Sequence, residues 1–171
     1  MSMELDPLAV DPPISKDEIR PGRTYPERPL IGVGVVVFRG DRVLLIRRRN
    51  PPRAGEWSLP GGLQRLGETI ADAARREVAE ETGIEITVAG VVDVVDLVEP
   101  DPDGVRIRYH YTLVDVSAEW LAGEPVAASD AAECRWFTAE EACDLGLWAE
   151  TVRIIRLALH RRSVSPMDGR G

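Results

Sequence analysis

The sequence has 171 residues, of which 44% are apolar and 29% charged, a composition typical of one soluble globular domain. The 29 acidic residues outnumber the 21 basic ones, so the formal net charge is −8. Nucleic acids and anionic membrane surfaces attract basic patches, so this balance argues against both as broad partners. It is compatible with a small anionic substrate, because bound metal ions can reverse the charge locally.

Residues 1–29 are predicted to be a proline-rich N-terminal tail. They contain six prolines among charged residues, which exclude a long helix or a central strand. We expect either an untethered tail or, as the alternative, an arm that completes a homodimer.

From the sequence we expect neither a signal peptide nor a membrane span. Its start, MSMELD, has neither a basic beginning nor an apolar run, and no window approaches the roughly 20 apolar residues of a membrane span. Cys134 and Cys143 are too few for a disulfide framework, so we expect reduced thiols and a cytoplasmic protein.

Two strands are predicted next, joined by a turn at Gly40 and Asp41. Residues 31–38 are continuously apolar and rich in valine, which predicts a strand buried on both faces. Residues 42–48 return as the second strand of a hairpin. Three arginines follow the apolar part of that second strand: Arg47, Arg48 and Arg49. They are either a basic strand end or a phosphate-binding group.

A helix is predicted within residues 69–83. Ile70, Ala73, Ala74 and Val78 recur at helical spacing and would form its apolar stripe. Thr69 lies near the expected start, and glycine is the usual residue just beyond a helix end, so Gly83 predicts the stop.

The other face of this helix is acidic. Glu77, Glu80 and Glu81 stand at i, i+3 and i+4, so their carboxylates share one face within about one turn. Like charges repel there, and a solvated acidic face is the simple interpretation. A hard divalent cation such as Mg²⁺ explains the arrangement better, because it prefers oxygen ligands and neutralises several carboxylates together.

This stretch matches a known signature, GX5EX7REUXEEXGU, where U is a bulky aliphatic residue. The matching residues are Gly62, Glu68, Arg76, Glu77, Val78, Glu80, Glu81, Gly83 and Ile84. The signature is that of the Nudix hydrolases, which the sequence therefore resembles. The resemblance implies an α/β/α sandwich with a mixed sheet, and a Nudix domain over residues 30–162 followed by a tail over residues 163–171.

The resemblance also implies a chemistry and a metal site. Nudix hydrolases cleave a nucleoside diphosphate linked to another group, with Mg²⁺ or Mn²⁺ held by glutamates of this helix. The metal ligands here would be Glu77, Glu80, Glu81 and the carbonyl of Gly61, and Arg76 would pair with Glu68. Metal ions neutralise the diphosphate and activate a water molecule, which is the chemistry that this reaction needs.

Substrate-binding residues are suggested by weaker local matches to the same family. Arginine near the end of the second strand would contact phosphate, with Arg48 favoured over Arg47. Trp57 is either a core residue or a stacking surface for the substrate. Asp130, in the predicted flexible loop over residues 122–132, would supply an extra acid. Glu133 and Glu99 are alternatives for that acid.

The last part of the chain completes the sheet. Residues 85–98 predict a strand with a bend or bulge at Gly90, and residues 105–116 alternate as its antiparallel partner. A short strand over residues 133–138 ends at Thr138, the expected N-cap of a helix, and residues 147–161 predict the final helix. His110 has no histidine or cysteine at ligand spacing, so a histidine metal site is not expected.

Three functions are compatible with these features. The first is Mg²⁺-dependent hydrolysis of ADP-ribose or a related sugar nucleotide, favoured because Pro100 lies 16 residues beyond the signature, as in ADP-ribose pyrophosphatases. The second is hydrolysis of (oxidised) nucleoside triphosphates to monophosphates. The third is a non-catalytic domain that senses a nucleotide. In each, a small nucleotide is the partner.

Overall fold

A computed structural model describes residues 22–50 and 53–164. Within them the chain forms seven strands and three helices. In chain order these are β1 (Leu30–Arg39), β2 (Arg42–Arg48), β3 (Trp57–Ser58), β4 (Gly61–Leu63), α1 (Ile70–Thr82), β5 (Glu85–Pro100), β6 (Ile107–Ala122), β7 (Ala131–Thr138), α2 (Ala139–Asp144) and α3 (Ala149–Val164). Most of the predicted tail, residues 1–21, and residues 165–171 lie outside the described residues.

The strands form one mixed sheet. Its order is β3-β2-β1-β6-β5, with β4 also paired to β1 and β7 paired to β2. β1 and β6 are parallel, from Leu30 opposite Tyr111 to Phe38 opposite Glu119. The remaining pairings are antiparallel, including the predicted β1–β2 hairpin, where Phe38 faces Val43.

Helices cover both faces of this sheet. Successive strand residues point to opposite faces, so β1 contributes Val33, Val35 and Val37 to a core under α1. Val36 and Phe38 point the other way, into a second core beneath α2 and α3. The arrangement confirms the predicted α/β/α sandwich with a mixed sheet.

Helix α1 begins and ends where the sequence predicts. The Thr69 hydroxyl accepts a hydrogen bond from the Asp72 N–H at 3.1 Å, which caps the first turn. Gly83 has φ +71, the left-handed conformation that ends many helices, and its N–H donates to the Ala79 carbonyl. The buried side of α1 includes Ala73, Ala74 and Val78.

The β5–β6 hairpin is longer than predicted. Both strands have 16 residues, and the register shifts beside Gly90, which confirms the bulge. β6 starts at Ile107 rather than 105, because the Val105 N–H donates to Asp103 within the connecting turn. It continues to Ala122 because pairing with β5 and β1 continues past residue 116.

The segment between β6 and β7, predicted to be a flexible loop, is bonded to the end of α1. The N–H groups of Val126 and Ala128 donate to the carbonyls of Thr82 and Glu81, each at 2.9 Å. These bonds satisfy carbonyls that the last helical turn leaves without partners. The loop therefore has a fixed position beside the acidic face of α1.

The C-terminal elements differ from prediction only at their ends. β7 begins two residues earlier than expected, and Thr138 caps α2 in a capping box with Glu141. Cys134 and Cys143 are free thiols. In the described part of the chain, no helix has both the length and the apolar character needed to cross a membrane.

Candidate active site

A polar cleft of about 240 Å³ lies between α1, β4, the end of β2 and the loop before β7. It is lined by Arg23, Ile46, Arg48, Asn50, Gly61, Gly62, Arg65, Glu77, Glu80, Glu81, Ser129 and Asp130. The fold thus brings the predicted glutamates together with Gly61, Arg48 and Asp130.

Arg76 fastens the loop before α1 to the helix. Its Nε and Nη2 donate to the two carboxylate oxygens of Glu68 at 2.5 and 2.9 Å, and Nη2 also donates to the Leu63 carbonyl. The hydrogen bonds from Arg76, with one from the Arg65 N–H, lower the pKa of Glu68 to about 2. The structure therefore contains the ion pair that the family resemblance implies.

Glu77 and Glu80 are both engaged by guanidinium groups. Arg76 Nη1 lies 2.6 Å from a Glu77 oxygen and 3.3 Å from a Glu80 oxygen. Arg65 Nη2 approaches the other Glu80 oxygen at 3.1 Å. Gly62 makes room for this cluster, since a Cβ there would lie 2.4 Å from the Glu77 carboxyl.

Glu81 is the buried member of the acidic face, with only 4% of its surface exposed. Burial raises the pKa of its carboxyl to about 8. The Gly61 N–H, which donates to Glu81 Oε2 at 2.9 Å, opposes this increase in pKa, as does the positive charge of Arg48. The negative charges of Glu77 and Asp130 add to it.

These side chains offer oxygen donors but are turned toward protein partners. Among residues 22–50 and 53–164, no three His, Cys, Asp or Glu side chains are arranged as a metal site. The reason is visible in the contacts: Arg65 and Arg76 engage Glu77 and Glu80, while Glu81 bonds to Gly61. A cation would take over the charge neutralisation that the arginines supply. The all-oxygen set fits Mg²⁺ or Mn²⁺.

Only one of the two predicted substrate arginines reaches the cleft. Neighbouring residues of a strand point to opposite faces, and Arg48 lines the cleft while Arg47 does not. Arg47 Nε instead donates to the Gly55 carbonyl, and its guanidinium lies 3.7 Å from Glu133. Arg47 therefore lies outside this cleft, and its assignment to the substrate stays a prediction.

Trp57 is likewise absent from the cleft. Its ring packs edge-on against Phe137, with centroids 5.0 Å apart and an interplanar angle of 81°. Both rings belong to the core beneath α2 and α3. Trp57 thus packs against the core, and its assignment as a stacking surface stays a prediction.

Asp130 is the one cleft acid outside α1 among the described residues. Asn50 Nδ2 donates to its carboxylate at 2.8 Å. The alternative acids lie elsewhere: Glu133 pairs with Arg135, and Glu99 is exposed near the end of β5. Pro100, the last residue of β5, does not line the cleft.

Four polar residues of the cleft were not predicted from the sequence: Arg23, Asn50, Arg65 and Ser129. Arg65 lies within the signature but at a position that the signature leaves variable. Ser129 has φ +53, a left-handed conformation unusual for serine, next to Asp130. No periodic pattern marks any of the four.

The cleft combines carboxylate oxygens with guanidinium groups, a set of side chains suited to a phosphate anhydride and its metal ions. Comparisons with known proteins agree. The NUDIX domain matches residues 28–158. An ADP-ribose pyrophosphatase from Methanocaldococcus jannaschii is 35% identical over 124 residues, which are 72% of this chain and 70% of that protein.

Two further relatives broaden the range of substrates. The oxidized purine nucleoside triphosphate hydrolase of Danio rerio is 31% identical over 135 residues, 75% of this chain and 78% of that protein. A MutT NUDIX hydrolase from Burkholderia pseudomallei superimposes with a TM-score of 0.66 at 30% identity, covering 77% of this chain and 98% of that one. The chain belongs to the Nudix hydrolase family and is a pyrophosphohydrolase of nucleotide derivatives.

Proposed function

We propose that the chain hydrolyses ADP-ribose to AMP and ribose 5-phosphate, with Mg²⁺ as the metal ion. The observation that carries the proposal is the lining of the cleft. Carboxylates of α1 and Arg48 suit a metal-bound diphosphate, while Asn50 and Ser129 are neutral hydrogen-bonding groups suited to a sugar. The similarity to the M. jannaschii ADP-ribose pyrophosphatase supports the same choice.

In this reaction water adds to one phosphorus atom and the bridging P–O bond breaks, so each product keeps one phosphate. The metal ion, when bound, neutralises the diphosphate and lowers the pKa of a bound water molecule. We propose that Glu77, Glu80, Glu81 and the Gly61 carbonyl hold it. Arg76 and Glu68 keep the preceding loop fixed to α1, and Arg48 binds phosphate oxygens through its guanidinium.

Water must also lose a proton, and we propose Asp130 as the acceptor. It lines the same cleft as Glu81, and Asn50 orients its carboxylate. Asp130→Asn should lower kcat by about 100-fold with little change in KM, since general-base catalysis contributes about 10²–10⁴-fold. Glu133→Gln is the matched control on the neighbouring strand. An Asp130→Asn enzyme with nearly normal kcat would remove Asp130 from this role.

The substrate is tested by kcat/KM for ADP-ribose, dGTP, dCTP and 8-oxo-dGTP at one Mg²⁺ concentration, with products separated by chromatography. We expect ADP-ribose to be hydrolysed fastest, yielding AMP and ribose 5-phosphate. A triphosphate preferred by tenfold or more, about 1.4 kcal/mol of transition-state preference, would overturn the choice of ADP-ribose. Repeating the series with Mn²⁺ tests the choice of metal.

Hydrolysis of an oxidised nucleoside triphosphate is the second candidate. The similarity to the D. rerio triphosphate hydrolase favours it. The guanidinium groups of the cleft do not decide between the candidates, since arginine binds phosphate oxygens whether a sugar or a third phosphate is attached beyond them. This second activity would be recognised by its products, a nucleoside monophosphate and pyrophosphate.

A further inference from the structure

Residues 22–29, here called the clasp segment, precede β1 and are held on the β5–β6 hairpin by Tyr25. The Tyr25 N–H donates to the Arg108 carbonyl at 2.8 Å, and its hydroxyl donates to Asp101 at 2.8 Å. The Arg106 guanidinium lies 4.0 Å from the centre of the Tyr25 ring. Tyr25 itself is left-handed, with φ +54, so contacts on backbone, hydroxyl and ring outweigh an unfavourable conformation.

Two residues before this anchor, Arg23 lines the cleft. It is half-buried, and within the described residues it makes no hydrogen bond, ion pair or ring contact. Two arginines of the signature stretch do have partners. Arg65 forms an ion pair with Glu80, and Arg76 forms one with Glu68. Arg23 therefore faces an acidic cleft without neutralising any of the carboxylates that line it.

A guanidinium in that position is suited to an anion that arrives from solution. It presents five donors in a planar fork, which matches the non-bridging oxygens of phosphate. The cleft already receives Arg48 from β2 and Arg65, which pairs with Glu80, so Arg23 would bring a further guanidinium from a different part of the chain. Half-burial strengthens such a contact, because the charges are screened less than at an open surface.

We propose that Arg23 binds the diphosphate group of the substrate and that the clasp segment positions it through Tyr25. This assignment rests on the diphosphate chemistry of the proposed function, and it does not depend on ADP-ribose being the nucleotide. Arg23 would act on binding, with the reacting water and its base left to other residues.

The test compares Arg23→Ala with Arg28→Ala, an exposed arginine of the same segment that does not line the cleft. Arg23→Ala should raise KM about tenfold or more with kcat within about threefold, because hydrogen bonds to charged groups are the stronger ones. The KM of Arg23→Lys should lie between those of the parent and Arg23→Ala, because lysine keeps the positive charge but lacks the planar fork of donors. Arg28→Ala should match the parent.

Calorimetry with Mg²⁺ and a non-hydrolysable probe, α,β-methylene-ADP, gives a readout that does not depend on turnover. Arg23→Ala should weaken this binding by the same factor as it raises KM. If the parent binds the probe but does not hydrolyse ADP-ribose, the proposed substrate fails while the role of Arg23 is still measured. Unchanged probe binding in Arg23→Ala, or an equal loss in Arg28→Ala, overturns the proposal.

The clasp is tested by a double-mutant comparison. Tyr25→Ala removes the contacts with Asp101 and Arg106, and it should raise KM in the same direction as Arg23→Ala. If Tyr25 acts through Arg23, the double variant should bind the probe no more weakly than Arg23→Ala alone. Additive losses would overturn the positioning role of Tyr25. Urea unfolding of each variant checks that the domain remains folded.

Discussion

Two buried carboxylates, one on each face of the sheet, show what separates a site from a core. Glu81 belongs to α1 on one face of the sheet and has 4% of its surface exposed, and Asp115 lies on the opposite face with 7% exposed. Burial raises the pKa of both, to about 8 for Glu81 and about 6 for Asp115. By burial and pKa alone, the two acids would be equal candidates for function.

Their surroundings differ. Glu81 accepts the Gly61 N–H and borders an open cleft that it shares with Glu77, Glu80 and Asp130. Asp115 does not line this cleft, and within the described residues its carboxylate has no hydrogen-bond partner. The charges that act on it are those of Arg153, Asp93 and Glu150. A buried acid thus indicates a site when open volume and further donors accompany it.

The largest expected contrast is in turnover. Glu81→Gln and Glu80→Gln should each lower kcat/KM by about 100-fold or more, because a ligand charge is lost where metal ions assist the reaction. Asp115→Asn, the matched control on the other face, should stay within about threefold of the parent. Steady-state rates at saturating Mg²⁺ measure this, and circular dichroism checks the fold. If Glu81→Gln turned over substrate as fast as the parent protein, the role of Glu81 as a metal ligand would be refuted.

Much of the candidate site could be predicted from local sequence. The caps of α1 at Thr69 and Gly83 and the clustering of Glu77 and Glu80 follow from spacing along one helix. The Arg76–Glu68 pair follows from the signature. These features were predictable because each depends on residues close in the chain.

The rest depends on pairing between distant segments. Parallel pairing of β1 with β6 brings Gly34 opposite Asp115, and neither residue carries a local signal of it. Arg23 lines the cleft two residues before Tyr25, whose hydroxyl bonds to Asp101, 76 residues away. Strand alternation directs Arg48 rather than its neighbour Arg47 to the cleft, and the sequence prediction did not use this alternation.

The second contrast concerns stability, and it compares two glycines that pack against acidic side chains: Gly34 against Asp115, and Gly62 against Glu77. A Cβ on Gly34 would lie 2.2 Å from Asp115 Oδ1, inside the core. Gly34→Ala should therefore lower the free energy of unfolding by about 2 kcal/mol, as overpacked cores do. Urea titration measures it, and Asp115→Ala in the same chain should recover most of the loss. A neutral Gly34→Ala would contradict the tight packing.

On the site face the same substitution should change activity instead. A Cβ on Gly62 would lie 2.4 Å from the Glu77 carboxyl, the mobile end of a long side chain that can swing away. Gly62→Ala should lower kcat about tenfold, or about 1.4 kcal/mol, by displacing Glu77. Its urea midpoint should stay near that of the parent. Loss of stability without loss of rate would reverse the distinction between the two glycines.

The smallest effect is a pH dependence that belongs to Asp115. Its pKa is about 6 in the folded state against an ordinary value of 3.8, chiefly because of burial. The folded protein therefore holds this proton more tightly than the unfolded chain does. Stability from this group is fully present below about pH 4, falls as pH rises to about 6, and is then constant.

Asp115→Asn removes that titration, so the two proteins should differ little near pH 4 and the variant should gain relative stability toward pH 7. The pKa of Asp115 is about two units higher in the folded state than in the unfolded chain, which limits the gain in free energy of unfolding to about 3 kcal/mol. We expect about 1 kcal/mol, because relaxation and water penetration around a buried charge reduce it. Urea unfolding of both proteins from pH 4 to 8 gives the difference, in which carboxylates common to both cancel. A difference that stays constant across this range would show that Asp115 titrates normally, and the comparison with Glu81 would then lose its second buried acid.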